Sequence, residues 1–101
     1  MKESEKFSQK LNKWVKIWNE LTDGTLETEE EAKEICRIIP LFKFKPQTAA
    51  ATCVFITLKK HKNPISMGEL CRITTFSPNT IYNIKDYIEK HKADTKEYKS
   101  L

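Results

Sequence analysis

Apolar residues recur at Phe7, Leu11, Trp14, Val15, Trp18 and Leu21, mostly three or four positions apart, which places them on one face of an α-helix. The opposite face carries Lys10, Lys13, Lys16 and Glu20 and reads as a solvated surface, and Asp23-Gly24 ends the segment. A second helix is expected from Thr28 as N-cap, with Glu31 three residues on to complete a capping box. Its buried stripe is Ala32, Ile35, Cys36 and Ile39, and Pro40 stops it by pushing the preceding residue out of the α region.

Pro46 suits the first turn of a third helix, where its missing N–H costs nothing. The run from Thr48 to Leu58 is uncharged and apolar on most sides, as expected of a helix at the centre of a bundle. Its β-branched residues leave a buried strand as the competing reading, against which stands its length without a turn signal. Ser66 with Glu69 forms a second capping box for a short fourth helix carrying Met67, Leu70, Cys71 and Ile73. Thr74-Thr75-Phe76 connects it to a fifth, with Ser77 as N-cap, Pro78 at the first helical position and Ile81, Ile84, Tyr87 and Ile88 turned inward. That helix is expected to fade near His91 into a polar tail over 93–101. The fold predicted is a single all-α domain of five helices over residues 1–92, with a helix-turn-helix at 66–91.

Composition narrows the function. The chain has 101 residues, 39% of them apolar, enough for one modest core, and its 2 glycines and 4 prolines disfavour a turn-rich β fold. A formal charge of +4 permits a polyanionic partner, and its distribution says more than its total. Five acids and one lysine lie between Glu27 and Glu34, whereas Arg37, Lys43, Lys45, Lys59, Lys60 and Lys62 fall in a stretch free of acids up to Glu69. Cys36, Cys53 and Cys71 form no CxxC pair and read as reduced thiols on apolar faces, in keeping with an intracellular protein. The expected compartment is a prokaryotic cytoplasm, or the nucleus or viral factory of a eukaryotic system. No apolar run reaches membrane-spanning length, so no membrane partner is expected. His61 and His91 lack the spaced ligands of a metal site or triad, and Gly24 and Gly68 cannot make a phosphate loop. No cofactor, no metal and no enzymatic activity is expected.

The segments Pro46 to Ile56, Ile65 to Cys71 and Phe76 to Ile81 together resemble the cyclin-type repeat of transcription factor IIB and its archaeal counterpart. In that family a proline leads an alanine-rich central helix, a short "serine, x, x, glutamate" helix follows, and the last helix opens near "serine, x, x, threonine, isoleucine". The resemblance spans residues 46 to 88. It implies a cyclin-like bundle acting in transcription initiation, whose helix-turn-helix grips duplex promoter DNA, with RNA polymerase or a TATA-binding-protein-like factor as further partners. It also implies that Asn79, Thr80 and Tyr82 fall where the family contacts bases; Tyr82 stands where arginine is common, and Lys85 where an aromatic is. Family members usually carry two repeats and a zinc ribbon, so the resemblance implies either a fragment with a second repeat elsewhere or a divergent protein that works as a single repeat or as a homodimer.

Helical geometry adds an independent argument. With Ile81, Ile84 and Ile88 inward, Asn79, Tyr82, Asn83 and Asp86 face outward and offer amides and a phenol to a groove. Ser77 and the free N–H groups at the helix start suit a phosphate, and Lys59, Lys60, Lys62 and Arg72 are the expected contacts to the flanking backbone. Asp86 on the same face would repel phosphates. The bland alternative is that Asn79 and Thr80 merely start a helix and the lysines complement a helix dipole. The functional alternative is a protein-binding module without DNA contact, presenting Trp14, Ile17 or Trp18 of the first helix, or Phe42 and Phe44 of the loop Leu41 to Lys45. Both phenylalanines could equally plug the end of the bundle.

Overall fold

Five helices account for most of the chain: α1 Glu3–Leu21, α2 Leu26–Ile38, α3 Pro46–Lys60, α4 Met67–Thr74 and α5 Pro78–Asp94. The computed structural model describes the backbone of residues 3–94 and the side chains of residues 6–92, and over these residues the chain is all-α. α5 runs on through Asp94, past the boundary expected near His91, and the rest of the expected tail lies outside the described residues.

α3 is the hub. Its residues Thr48 to Val54 are all buried, and α1, α2 and α5 all pack against it, a close approach that small side chains such as Ala49, Ala50 and Ala51 permit. The strand alternative fails because the threonines of this segment are made helix-compatible. Thr52 and Thr57 each donate a hydroxyl to the carbonyl four residues earlier, Thr48 O and Cys53 O, both at 2.9 Å. A buried threonine bonded in this way presents a methyl to the core and leaves no polar atom unpaired.

Around this hub pack Leu11, Val15 and Trp18 from α1, Ala32, Ile35 and Cys36 from α2, Leu70 from α4 and Ile81, Ile84 and Ile88 from α5. Leu21, expected on the buried face of α1, is exposed, because the helix ends there and the chain turns away. Cys36 and Cys53 meet across α2 and α3 with their sulfurs 3.4 Å apart. The contact with Cys36 and burial push the Cys53 thiol up, so it behaves as an apolar side chain rather than a nucleophile.

One helix start departs from expectation. α2 begins one turn earlier than Thr28 would place it. Thr25 is the N-cap, its hydroxyl accepts from Thr28 N–H at 3.2 Å, and Thr28 Oγ1 accepts from Thr25 N–H at 2.8 Å. A threonine at the third helical position does the work expected of Glu31, which instead reaches across to Lys60 and His61 at the end of α3, 3.3 Å from each. α1 closes before Asp23-Gly24 as expected, with Asp23 in the left-handed region (φ 60°).

Gly24 is held for a different reason. Its N–H donates to Asn19 O at 2.7 Å, and a Cβ there would fall 1.9 Å from Asn19 Oδ1. Asn19 is only 3% exposed and joins the two helices: its Nδ2 donates to Thr25 O at 2.9 Å and its Oδ1 accepts from Thr28 Oγ1 at 2.7 Å.

Candidate nucleic-acid interface

The helix-turn-helix is built from the short α4, the three residues Thr75, Phe76 and Ser77, and α5. Ser66 caps α4, accepting from Glu69 N–H at 3.1 Å, but Glu69 turns its carboxylate to Arg72 rather than back to the cap, so only half of the expected capping box forms. Thr75 closes α4 in the left-handed region (φ 64°) while its N–H bonds Cys71 O at 2.7 Å. A β-branched residue is strained there. Thr75→Gly is therefore expected to raise stability by about 1 kcal/mol, read as a higher midpoint in urea unfolding; an unchanged or lower midpoint contradicts a strained turn.

Ser77 caps α5, with Thr80 N–H bonded to Ser77 Oγ at 3.3 Å and the two hydroxyls 2.8 Å apart. Phe76 tucks back against the Trp18 ring in a T-shaped contact, centroids 5.9 Å apart, which ties the turn to α1. Ile81, Ile84 and Ile88 are buried as expected, and Tyr87 is half-buried with its hydroxyl donating to Pro40 O at 2.6 Å. The register this imposes turns Asn79, Thr80, Tyr82, Asn83 and Asp86 outward, with Tyr82 49% exposed.

The outward residues divide into two groups. Ser77, Thr80 and Asn83 line a groove of about 580 Å³ that runs between the start of α5 and the start of α3, together with Lys43, Lys45, Thr48 and Thr75 over a floor of Phe44, Phe76 and Ile84. Asn79, Tyr82 and Asp86 do not line it and face open solvent. Lys43 is held at the groove edge, its ammonium 4.4 Å from the centre of the Tyr87 ring, a cation–π contact.

The expected backbone contacts fall elsewhere. Lys59 and Lys60 end α3 and Lys62 follows in the left-handed region, whereas Thr48, which borders the groove, lies near the beginning of the same helix. Lys60 stands twelve positions after Thr48 on the helix, roughly 18 Å along the axis. Lys60 is also engaged with Glu31 and Arg72 with Glu69. The cations that the fold brings beside Ser77 and Thr80 are Lys43 and Lys45, which sequence reasoning assigned only to an apolar and basic loop. The alternation of phenylalanine and lysine there was the available signal, but nothing local says which helix end the loop faces.

The same loop resolves the candidate partner contacts. Leu41 is the plug, 1% exposed, while Phe42 is 61% exposed and leans on Phe7 with centroids 5.1 Å apart. Phe44 is half-buried, edge-on to Tyr87 at 5.0 Å. Of the first-helix candidates, Trp18 is buried, and Trp14 and Ile17 are half-buried against the core. Leu41→Ala is expected to cost about 2–4 kcal/mol and Phe42→Ala about 1 kcal/mol or less, compared by denaturant unfolding; equal costs would contradict this assignment of plug and surface.

Among the described residues no helix is long and apolar enough to cross a membrane, and no cluster of His, Cys, Asp and Glu is arranged to hold a metal ion. Comparison with protein-family models, with curated proteins and with solved structures returns no match.

Proposed function

We propose that this chain is a duplex-DNA-binding domain that reads a major groove with the exposed start of α5. The observation that carries the reading is the juxtaposition of that polar helix start, displayed across a three-residue turn, with a groove flanked by two lysines and lined by no acid. Asn79 and Tyr82 are the side chains free to meet base edges, an asparagine being able to pair in bidentate fashion with adenine. Asp86 lies about 10 Å further along the helix from Asn79, far enough for the helix to enter a groove by its first turn with the acid at the margin. The likeness of residues 46 to 88 to the factor IIB repeat extends the proposal to a cyclin-like arrangement and a role in transcription initiation, alongside a polymerase or a TATA-binding-protein-like factor.

The test is selection from a pool of random duplexes, followed by anisotropy titration at two salt concentrations. Affinity is expected to fall steeply with salt, and Asn79→Ala to cost about 1–3 kcal/mol at one base position while leaving nonspecific binding intact. No association at micromolar protein in low salt would overturn the DNA reading. The exposed Phe42, paired with Phe7, favours a protein-interaction module as the second reading.

A further inference from the structure

We propose that the groove between the starts of α3 and α5 is a phosphate-binding site that takes one backbone phosphodiester of the duplex; this rests on, and deepens, the DNA reading. α3 opens without a side-chain cap: Lys45 occupies the N-cap position and makes no capping bond. Pro46 has no N–H, and the first helical bond is Ala49 N–H to Lys45 O at 3.0 Å. The N–H groups of Gln47 and Thr48 are left pointing out of the helix start, the positive end of its dipole.

An independent observation points to a ligand. Thr48 lines this groove, is 5% exposed, and its hydroxyl makes no hydrogen bond within the protein. The neighbouring buried threonines, Thr52, Thr57 and Thr74, each bond the carbonyl four residues earlier. The corresponding carbonyl for Thr48 would be that of Phe44, which lies before the helix begins. The residue is otherwise buried, so its hydroxyl, free of any bond within the protein, opens only into this groove, where it can donate to a ligand's acceptor. A phosphate oxygen would be such an acceptor. Lys43 and Lys45 supply the countercharge, Ser77 and Thr80 supply hydroxyls from the facing wall, and no lining residue is an acid that would repel an anion. The phenylalanine floor excludes water beneath the anion and strengthens these contacts. Because Thr80 and Asn83 line the same groove, a phosphate seated there would set the depth at which Asn79 and Tyr82 enter the neighbouring groove of the DNA.

Thr48→Val is the decisive variant, since it removes the hydroxyl at nearly constant shape. Two titrations of the full chain followed by amide NMR use dimethyl phosphate and inorganic phosphate at low salt, and a third, by anisotropy, uses the selected duplex. The expected results are saturable shifts of the Thr48 and Thr80 amides with both small anions, lost in Thr48→Val, and about ten-fold weaker duplex binding by that variant. The same variant should melt no lower than the wild type, because the hydroxyl makes no bond within the protein; a merely structural threonine would lower both. Lys43→Gln with Lys45→Gln should reduce the slope of log K against log salt by about 1. If the duplex binds and neither Thr48→Val nor the lysine pair changes its affinity or salt slope, the groove proposal is overturned while the DNA reading stands. If the duplex does not bind but the small anions still shift Thr48 and Thr80, the site is real and its ligand is a free phosphate group. If no anion shifts these amides and no duplex binds, both fail.

Discussion

Replacing Gly24 by alanine is expected to destabilise the fold by about 2–4 kcal/mol, a large share of the roughly 5–15 kcal/mol by which a domain of this kind is stable. Ordinary reasoning about glycine gives the opposite sign. Gly24 does not sit at positive φ, and alanine at a compatible position stabilises by about 0.4–1 kcal/mol through the unfolded chain. What reverses the sign is Asn19. The new Cβ would stand 1.9 Å from its Oδ1 and 2.7 Å from Thr28 Oγ1, so the amide must leave. It then loses the bonds to Thr25 O and Thr28 Oγ1 that are its reason for being buried, at about 1–3 kcal/mol for each polar group stranded. Urea unfolding of Gly24→Ala, Asn19→Ala and the pair measures this directly. The double variant should cost clearly less than the sum, because Asn19→Ala removes most of the obstruction. A Gly24→Ala protein within 0.5 kcal/mol of wild type would show that the turn accommodates a Cβ and that Asn19 is not the junction between α1 and α2.

Trp18→Ala is expected to cost about 3–5 kcal/mol, and Trp18→Phe about 1–2 kcal/mol. The indole fills core space beside Trp14, with centroids 5.3 Å apart, and meets Phe76 in a T-shaped contact. It also donates its N–H to Gln47 O at 2.9 Å, within the first turn of α3. Phenylalanine keeps most of the apolar area and the contact with Phe76 but leaves the Gln47 carbonyl without its donor. One side chain of α1 thus braces both walls of the groove: Phe76 in the turn before α5, and Gln47 beside Thr48. Trp18→Phe should accordingly weaken duplex binding more than a core variant of equal stability cost placed at the far end, such as Leu58→Ala; equal losses of affinity would mean that Trp18 serves stability alone.

The periodicity of Leu11, Val15 and Trp18, of Ala32, Ile35 and Cys36, and of Ile81, Ile84 and Ile88 carried enough information to place the core face of α1, α2 and α5. Proline at the first position of α3 and α5 and serine before α4 and α5 marked those starts to within a residue. These signals are local, decided by backbone sterics and by which side of a cylinder meets water. The α2 start escaped because Thr25 and Thr28 are both good caps, and the choice between them was made by Asn19, six residues before Thr25, through a side chain that is buried only once the turn has closed.

The candidate site divides in the same way. That Asn79, Tyr82 and Asn83 face outward follows from a helical register visible in the order of residues. That Lys43 and Lys45, rather than Lys59, Lys60 and Lys62, lie beside Ser77 and Thr80 does not, since it depends on which end of α3 the turn between α4 and α5 packs against. Leu41 and Phe42 are adjacent and both apolar, and only the closing of the bundle by α5, with Tyr87 bonded to Pro40 O, decides that one is core and the other surface. The sequence by itself determined the helices, their inward faces and the polar start of α5, because those properties are periodic and local. The tertiary structure alone decided the groove, its lysines and the partnerless hydroxyl of Thr48, because each depends on contacts between residues some thirty positions apart.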